Sequence, residues 1–207
     1  MANHTQITPT TSRETVGYPK TTGGTVTRTT PRAVISPAAA KVLAVLRVAV
    51  GFTFLWAFLD KLAGLNYATG SGKGWLSGGS PTKGFLSGVE VGPFQSIFHS
   101  FAGAGWANWL FMLGLLGIGV ALIAGVAMRI AAVSGALLLV FMFLASWPLA
   151  QFDSSGVATH STNPLFDDHL ITAVVLVVLA LTSAGTTWGL GKTWARLPFV
   201  TAHNWAR

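Results

Sequence analysis

Residues 47–62 read RVAVGFTFLWAFLDKL, an apolar run with an arginine at one end and an Asp-Lys pair at the other. Charged side chains are costly at bilayer depth, so a sequence keeps them only where they pair or act. Arg47 and Lys61 would lie within about 40° of each other on one helical face and roughly 21 Å apart along the axis. The face between them carries Gly51, Phe54 and Phe58. We therefore predict that this face contacts something polar other than lipid.

The composition of the chain is that of a membrane protein. Of 207 residues, 51% are hydrophobic and only 9% are charged, whereas a soluble domain carries about a quarter charged residues. The absence of cysteine excludes disulfides, thiolate nucleophiles and cysteine-ligated iron–sulfur clusters. The net charge of +7 is not gathered in one aromatic-laced patch, so we expect no nucleic-acid partner and read the basic residues as topology signals.

The chain divides into a polar tail, an apolar domain and a second tail. Residues 1–36 are rich in threonine and poor in large apolar side chains, so they are predicted to be a disordered tail. The domain spans residues 37–190, and residues 191–207 form a C-terminal tail. Within the domain, four segments are long enough to cross about 30 Å of hydrocarbon; they lie at 37–65, 107–128, 130–150 and 163–187. The predicted fold is an all-α integral membrane protein, a four-helix transmembrane bundle.

Local signals set the expected helix ends. Ser36 and Pro37 are a helix start signal. Only residues 128–129 separate the second segment from the third, so these two should form a tight antiparallel hairpin. Asn163 and Pro164 are predicted to begin the fourth helix, which would put His169 about one and a half turns inside it.

The distribution of lysine and arginine predicts the orientation. Ten of these residues lie in the N-terminal tail and first turns, in the second-to-third turn, or after the last helix. The other three, Lys61, Lys73 and Lys83, lie on the opposite side. By the positive-inside rule, we expect a multi-pass plasma-membrane protein with both termini in the cytoplasm.

The first outer loop, at about residues 66–106, has a pattern of its own. Residues 85–101 place four large apolar side chains at helical spacing, which predicts an amphipathic helix on the outer membrane surface. Those four are Phe94, Ile97, Phe98 and Phe101. Such a helix would either pack over the bundle or cover the mouth of a ligand site.

Several polar residues belong to the outer third of the predicted domain. Asp60 and Lys61 end the first helix, and Asp168 and His169 begin the fourth. A histidine whose tautomer is set by a carboxylate can exchange a proton with a quinone carbonyl. Structural roles stay open as well. Acidic residues suit the positive end of a helix dipole, long basic side chains such as that of Arg47 can snorkel to headgroups, and a lone histidine can simply pack.

The sequence also limits the cofactors. Haem held by two imidazoles needs two histidines at compatible depth, and His169 is the one good intramembrane candidate. Adjacent residues on a helix do not converge on one point, so no metal is expected from Asp167, Asp168 and His169. No GxGxxG or P-loop motif is present. Electrons for any redox reaction would come from a partner or pass through a bound organic molecule.

Short motifs resemble the DoxX/DoxD family of membrane proteins. The first-helix signature, R-x3-G followed by aromatics and D/Q-K-L, is met by Arg47, Gly51, Trp56, Asp60, Lys61 and Leu62. The GVAMRIAA turn, the NP-x-x-DDHL stretch and GLGKTW at 189–194 are similar to members with the DoxD-like pattern. The resemblance covers about residues 40–200. It implies a four-helix protein of quinone-linked redox systems, with Arg47, Lys61 and His169 matching the pattern.

The resemblance and the residues together give two functional hypotheses. The first is a quinone-binding redox subunit, similar to the large subunit of a thiosulfate:quinone oxidoreductase and dependent on a partner subunit. His169, Asp168 and Asp60 would act in catalysis, and Arg47, Lys61, Trp56, Phe54 and Phe58 would bind substrate or quinone. The second is a non-catalytic scaffold or accessory subunit of a membrane redox complex, for which the small-residue stretch GLLGIGVALIAG is suited. Membrane lipid is an expected partner, and a homo-oligomer stays open.

Overall fold

The computed structural model describes residues 35–159 and 161–206, without the side chain of Asn204. Helices make up most of this part of the chain, in the order α1 Pro37–Ala63, α2 Lys83–Ser87, α3 Gln95–Phe101, α4 Gly105–Ala124, α5 Met128–Ser146, α6 Asp168–Leu181, α7 Gly191–Trp194 and α8 Pro198–Ala202. Short 3-10 turns lie at Trp75–Ser77, Ala184–Thr186 and Asn204–Ala206. Across these ranges no strand forms beyond one isolated bridge between Phe152 and Ala158. Residues 1–34 of the predicted N-terminal tail, which was expected at 1–36, lie outside the described residues.

Three of the described helices, α1, α4 and α5, are long and apolar enough to cross a membrane. The prediction of an all-α protein with membrane-spanning helices is confirmed to this extent. The fourth helix, α6, has 14 residues, a length of about 21 Å, which is less than the hydrocarbon thickness. It begins later than predicted because Asn163 accepts the amides of Leu165 and Phe166 in a turn instead of capping a helix.

The long helices alternate in direction, which gives the molecule two ends. At the hairpin end, residues 125–127 join α4 to α5, α1 begins and α6 finishes. At the loop end, residues 64–104 connect α1 to α4, and residues 147–167 connect α5 to α6. Helix α1 packs along α4, and α6 packs along α5. The main apolar cluster contains side chains from all four helices, including Phe54, Leu122, Leu139 and Leu176.

A glycine contact sets the distance between α1 and α4. A Cβ placed on Gly119 would lie 2.8 Å from the backbone nitrogen of Leu55 and 3.1 Å from the carbonyl oxygen of Gly51. A Cβ on Gly51 would lie 2.9 Å from the side chains of Leu122 and Ile123. The two helices therefore approach at backbone contact, as small residues allow in membranes.

The predicted helix ends hold at α1 and shift elsewhere. The hydroxyl of Ser36 accepts the amide of Ala39, and Pro37 occupies the first helical position. The tight hairpin is present, but its turn lies at residues 125–127 rather than 128–129. The reason is Gly125, whose φ of 72° ends α4 in the left-handed region, a conformation that glycine adopts at little cost.

The predicted amphipathic outer helix is two short helices, α2 and α3. Gly88, Gly92 and Pro93 interrupt the apolar pattern between them, and Gly92 has a φ of 96°. Phe98 of α3 is buried against Val89 and Ala145, so this segment packs over the loop end of α5. The C-terminal stretch is also folded: Val200 and Ala206 are fully buried, and the indole of Trp194 donates to the carbonyl of Ala206.

We predict that Gly119→Leu destabilises the protein, because the new side chain must displace the backbone of α1. Overpacking of this kind costs about 1–3 kcal/mol. Gly117→Leu is the matched control, since a Cβ at Gly117 meets no atom within 4 Å, and it should leave stability unchanged or raise it through helix propensity. Thermal unfolding of the two variants in one detergent is the measurement. Equal midpoints would contradict the close contact of α1 and α4.

Candidate functional site

The guanidinium of Arg47 is buried at the hairpin end, where α4 finishes. Its Nη1 donates to the carbonyl of Leu122 and, at 3.0 Å, to that of Ile123. Its Nη2 donates to the carbonyl of Trp188 at 3.1 Å. The last carbonyls of a helix lack partners within it and carry its partial negative charge. Arg47 thus satisfies α4 and joins it to the segment that follows α6.

Glycines make room for this guanidinium. A Cβ on Gly125 would lie 2.6 Å from Nη1 of Arg47, and one on Gly189 would lie 3.1 Å from Nη2. The amide of Leu190 donates to the carbonyl of Ala124 at 2.8 Å, so residues 188–190 lie directly on the end of α4. The GLGKTW motif at 189–194 is therefore part of the enclosure of Arg47.

Arg47 is fully buried and does not snorkel. Its Nε has no hydrogen-bond partner within the part of the chain that the structure describes, while both terminal nitrogens donate to backbone carbonyls. The sequence left open whether the Arg47 side chain is buried or snorkels to the headgroups, and the structure shows that it is buried. The predicted role in binding quinone or substrate has no support from these contacts, which are all with the protein backbone.

Asp60 is buried at the opposite end of α1, where it organises the turn that follows. Its Oδ2 accepts the amide of Ala68 at 3.0 Å and its Oδ1 accepts the amide of Tyr67 at 3.3 Å. The amide of Gly64, which ends the helix at φ 69°, donates to the backbone carbonyl of Asp60. The carboxylate is thereby paired with backbone donors of its own loop.

Lys61 separates two cavities at the loop end. The larger, which we call the cleft, has a volume of about 1110 Å³ and is bordered by loop residues 68–87 and by α3, α4 and α5. The smaller, which we call the notch, has a volume of about 270 Å³ and is bordered by α1 and the turn after it. The Nζ of Lys61 lies 5.9 Å from the ring centroid of Phe111, a residue of the cleft wall.

The three aromatic residues predicted to form one quinone slot lie in different places. Phe54 is buried in the main apolar cluster, and Phe58 packs against that cluster. Trp56 lines the notch, where its ring meets that of Tyr67 edge to face with centroids 5.1 Å apart. The structure does not bring the three rings to one place, because the helix turns Phe54 inward to α4 and Trp56 outward; that they line an isoprenoid slot stays a prediction.

His169 lies in the first turn of α6 and contacts acids of its own helix start. Its Nδ1 lies 2.7 Å from Oδ2 of Asp167 and 3.4 Å from Oδ1 of Asp168. The side chain of Asp167 is 16% exposed and that of Asp168 is 90% exposed. Asp167 also caps α6 by accepting the amide of Leu170. Asp167, rather than Asp168, is therefore the carboxylate that orients this imidazole.

The predicted catalytic residues are not brought together. No hydrogen bond or ion pair among the described residues joins His169 or Asp168 to Asp60 or Lys61, and neither cavity is lined by His169. Ligand atoms of Asp167, Asp168 and His169 lie within 4.8 Å of one another, closer than helical spacing predicts, because Asp167 precedes the helix. Two of these groups are engaged in capping and pairing, Asp167 with the amide of Leu170 and His169 with Asp167.

Two residues that shape the loop end were missed by the sequence analysis. The buried Oδ1 of Asn108, in the first turns of α4, accepts from the amide and hydroxyl of Thr82 and from the hydroxyl of Ser80. The hydroxyl of Thr82 also accepts the amide of Gly103. An isolated amide at the start of an apolar span is the signal that could have indicated this anchor, since a buried amide needs partners.

Comparisons with known proteins leave the family undecided: no protein-family model, curated protein or solved structure matches this chain. The resemblance to the DoxX/DoxD family accordingly stays a prediction that rests on the short motifs alone.

We predict that Arg47→Met destabilises the protein, since it removes the guanidinium donors of the carbonyls of Ile123 and Trp188, whereas the carbonyl of Leu122 keeps the amide of Gly125. Each unsatisfied buried polar group costs about 1–3 kcal/mol. Lys41→Met is the matched control, because Lys41 is exposed on the same helix. Thermal unfolding measures the effect, and hydrogen exchange at residues 188–191 should rise in the arginine variant alone. Unchanged exchange there would mean that Arg47 does not hold this segment to α4.

Proposed function

We propose that this chain is a multi-pass membrane subunit of a quinone-linked redox system, and that the notch on α1 receives the quinone ring. The observation that carries the proposal is the notch itself, an open aromatic recess beside the two polar residues that end the first apolar helix. It is lined by Phe52, Trp56, Asp60, Lys61 and Tyr67, among others. Three of these, Trp56, Asp60 and Lys61, are residues that the sequence singled out.

The size and aromatic lining of the notch support a quinone head as its ligand. Its volume of about 270 Å³ is near the lower limit of ordinary ligand sites, about 300 Å³, which suits one ring rather than a whole isoprenoid ligand. Phe52 and Trp56 are 5.9 Å apart between ring centroids, and Tyr67 closes the other side. Flat rings pack favourably against such aromatic walls, and the tail would extend along the exposed apolar face of α1.

Polar groups around the notch would orient the ring. The indole N–H of Trp56 and the hydroxyl of Tyr67 are donors of the kind that quinone carbonyls accept. A bound quinone supplies two-electron, two-proton redox chemistry. Of the three residues predicted to be catalytic, Asp60 lines the notch, whereas His169 and Asp168 would act elsewhere or only structurally. Because the chain has no cysteine, the electrons would come from a partner subunit.

We also propose four membrane crossings with both termini in the cytoplasm of the plasma membrane. Helix α6 would complete the fourth crossing together with residues 182–187, which continue beyond it as turns beside α1. The ten lysines and arginines assigned to the hairpin end and tails, against three at the loop end, support this orientation. The four helices would then form the bundle that the sequence predicts.

A non-catalytic accessory subunit is the second candidate, and one observation favours it. Within GLLGIGVALIAG, Gly119 and Gly125 are used inside the protein, but Gly114 and Gly117 have open space where a Cβ would lie. Small residues on a lipid-facing helix allow another helix to approach closely. In this case Arg47, Asp60 and His169 would act only in stabilising the fold, as their contacts with nearby backbone and side chains already do.

Trp56→Ala tests the redox proposal. The variant should bind a short-chain quinone about two- to tenfold more weakly, because one aromatic wall of the notch is lost. Trp109→Ala is the control, since Trp109 is an exposed tryptophan that packs against Trp75 instead. Equilibrium binding of decylubiquinone to the purified full-length chain is the measurement.

If Trp56→Ala, Trp109→Ala and the unaltered protein bind the quinone with equal affinity, the quinone ring does not bind in the notch. A complete lack of quinone binding, together with loss of a co-purified membrane protein in Gly117→Leu, would support the accessory subunit instead.

A further inference from the structure

The cleft at the loop end collects all three lysines of its side of the molecule. Lys61, Lys73 and Lys83 line it, and no aspartate or glutamate of the described chain does. Lys61 is held over the ring of Phe111 at the inner wall, while Lys73 and Lys83 are exposed and belong to the loop. Three lysines that line one cavity, with no carboxylate in its wall, produce a positive potential that favours an anion.

Three acids at the loop end are engaged by groups of their own segments. The carboxylate of Asp60 accepts backbone amides of its own turn, and that of Asp167 pairs with His169. The hydroxyl of Ser155 and the amide of Val157 donate to Asp153, which holds the pKa of that carboxyl below its ordinary value. None of these acids lines the cleft. Asp60, next to Lys61 in the chain, attracts the ammonium group of Lys61, so Lys73 and Lys83 supply most of the positive charge that the cleft offers to a ligand.

The floor of the cleft is apolar. It is formed by aromatic and aliphatic side chains of α3, α4 and α5, among them Phe101, Trp106, Leu138 and Phe141. Phe101 and Trp106 meet edge to face at 5.0 Å between centroids. Phe141 and Trp106 are more than half exposed, so the floor continues into the apolar outer surface of two helices that are able to cross a membrane.

The rim of the cleft is a built structure. Asn108 of α4 binds both the amide and the hydroxyl of Thr82, and the amide of the next residue, Lys83, donates to the hydroxyl of Ser80. These bonds fix residues 80–83 over the start of α4. The volume of about 1110 Å³ is above the range of about 300–1,000 Å³ for drug-sized ligand sites.

The geometry points to an anionic amphiphile as the ligand of the cleft: a carboxylate or phosphate head held by Lys61, Lys73 and Lys83, with a long hydrocarbon chain lying on the apolar floor. Such a head would pair with the lysines of the cleft, and such a tail would cover the apolar floor, which a free inorganic anion would leave exposed. A neutral amphiphile would leave the lysines without a partner. This site is distinct from the notch, with which it shares only the wall formed by Lys61 and Ala68.

The test uses the full-length chain in a non-ionic detergent and 9,10-dibromostearate, whose bromines quench nearby tryptophans. Quenching should saturate and should largely disappear in Trp106→Phe, since Trp106 lies on the floor. In the double variant Lys73→Gln, Lys83→Gln the apparent dissociation constant should rise about five- to tenfold, because two exposed charge pairs are lost. Salt at high concentration should weaken binding to the unaltered chain by screening.

Matched controls separate charge from apolar partitioning and from the quinone site. Lys41→Gln removes a lysine outside the cleft and should bind the probe normally. The methyl ester of 9,10-dibromostearic acid carries no charge, so it should bind the unaltered protein no more tightly than it binds the double lysine variant. Trp56→Ala, which alters the notch, should leave dibromostearate binding unchanged, so failure of the quinone proposal and failure of this one are distinguishable. Thermal midpoints confirm that each variant is folded.

A second arm identifies the source of the anion. Brominated phosphatidic acid in phosphatidylcholine nanodiscs tests a membrane lipid, whereas dibromostearate tests a free acid. Lysine-dependent quenching in either arm supports the site and tells which source it accepts. Equal quenching by acid and ester, or equal affinity of the double lysine variant, would overturn the proposal, as would an unchanged signal in Trp106→Phe.

Discussion

The fold depends on the guanidinium of Arg47 at the end of α4. A helix that ends inside a protein leaves carbonyl groups that no water can satisfy. Arg47 donates to two of them and to the carbonyl of Trp188, so one side chain connects three segments that are far apart in sequence. The glycines at 125 and 189 are required by the same contact, because a side chain at either position would occupy the space of the guanidinium.

This constraint changes how the charged residues of the apolar domain are interpreted. Arg47 satisfies a helix end, Asp60 closes the turn after α1, and Asp167 both caps α6 and orients His169. Each is a polar group, buried or partly buried, that pairs with a backbone or neighbouring partner, as the cost of burial demands. Our two ligand proposals therefore concern the cavities on either side of Lys61, which differ in size and in lining.

The sequence predicted the positions of the helices better than it predicted which side chains contact one another. Apolar length located α1, α4 and α5, and Ser36-Pro37 marked the start of α1. The later start of α6 could not be foreseen, since Asn163 and Asp167 are both good caps and only tertiary structure chooses between them. Their predicted depth along the bundle suggested that Asp60, Lys61, Asp168 and His169 share a site. The depth of a residue does not determine the direction in which its side chain faces around the helix axis. The hydrogen bonds between Asn108 and Thr82 could not be predicted, because they depend on the path of the loop that joins α1 to α4.

Solid-state NMR of the protein in lipid bilayers tests the role of Arg47 most directly. Dipolar recoupling between ¹⁵N-labelled arginine side chains and ¹³C-labelled leucine carbonyls would report whether a guanidinium nitrogen lies within hydrogen-bonding range of Leu122. Arg47→Lys, together with Leu122→Ile, would assign the signal. The account predicts a short nitrogen-to-carbonyl distance and no water contact at the guanidinium. A hydrated, mobile guanidinium at the level of the lipid headgroups would contradict it.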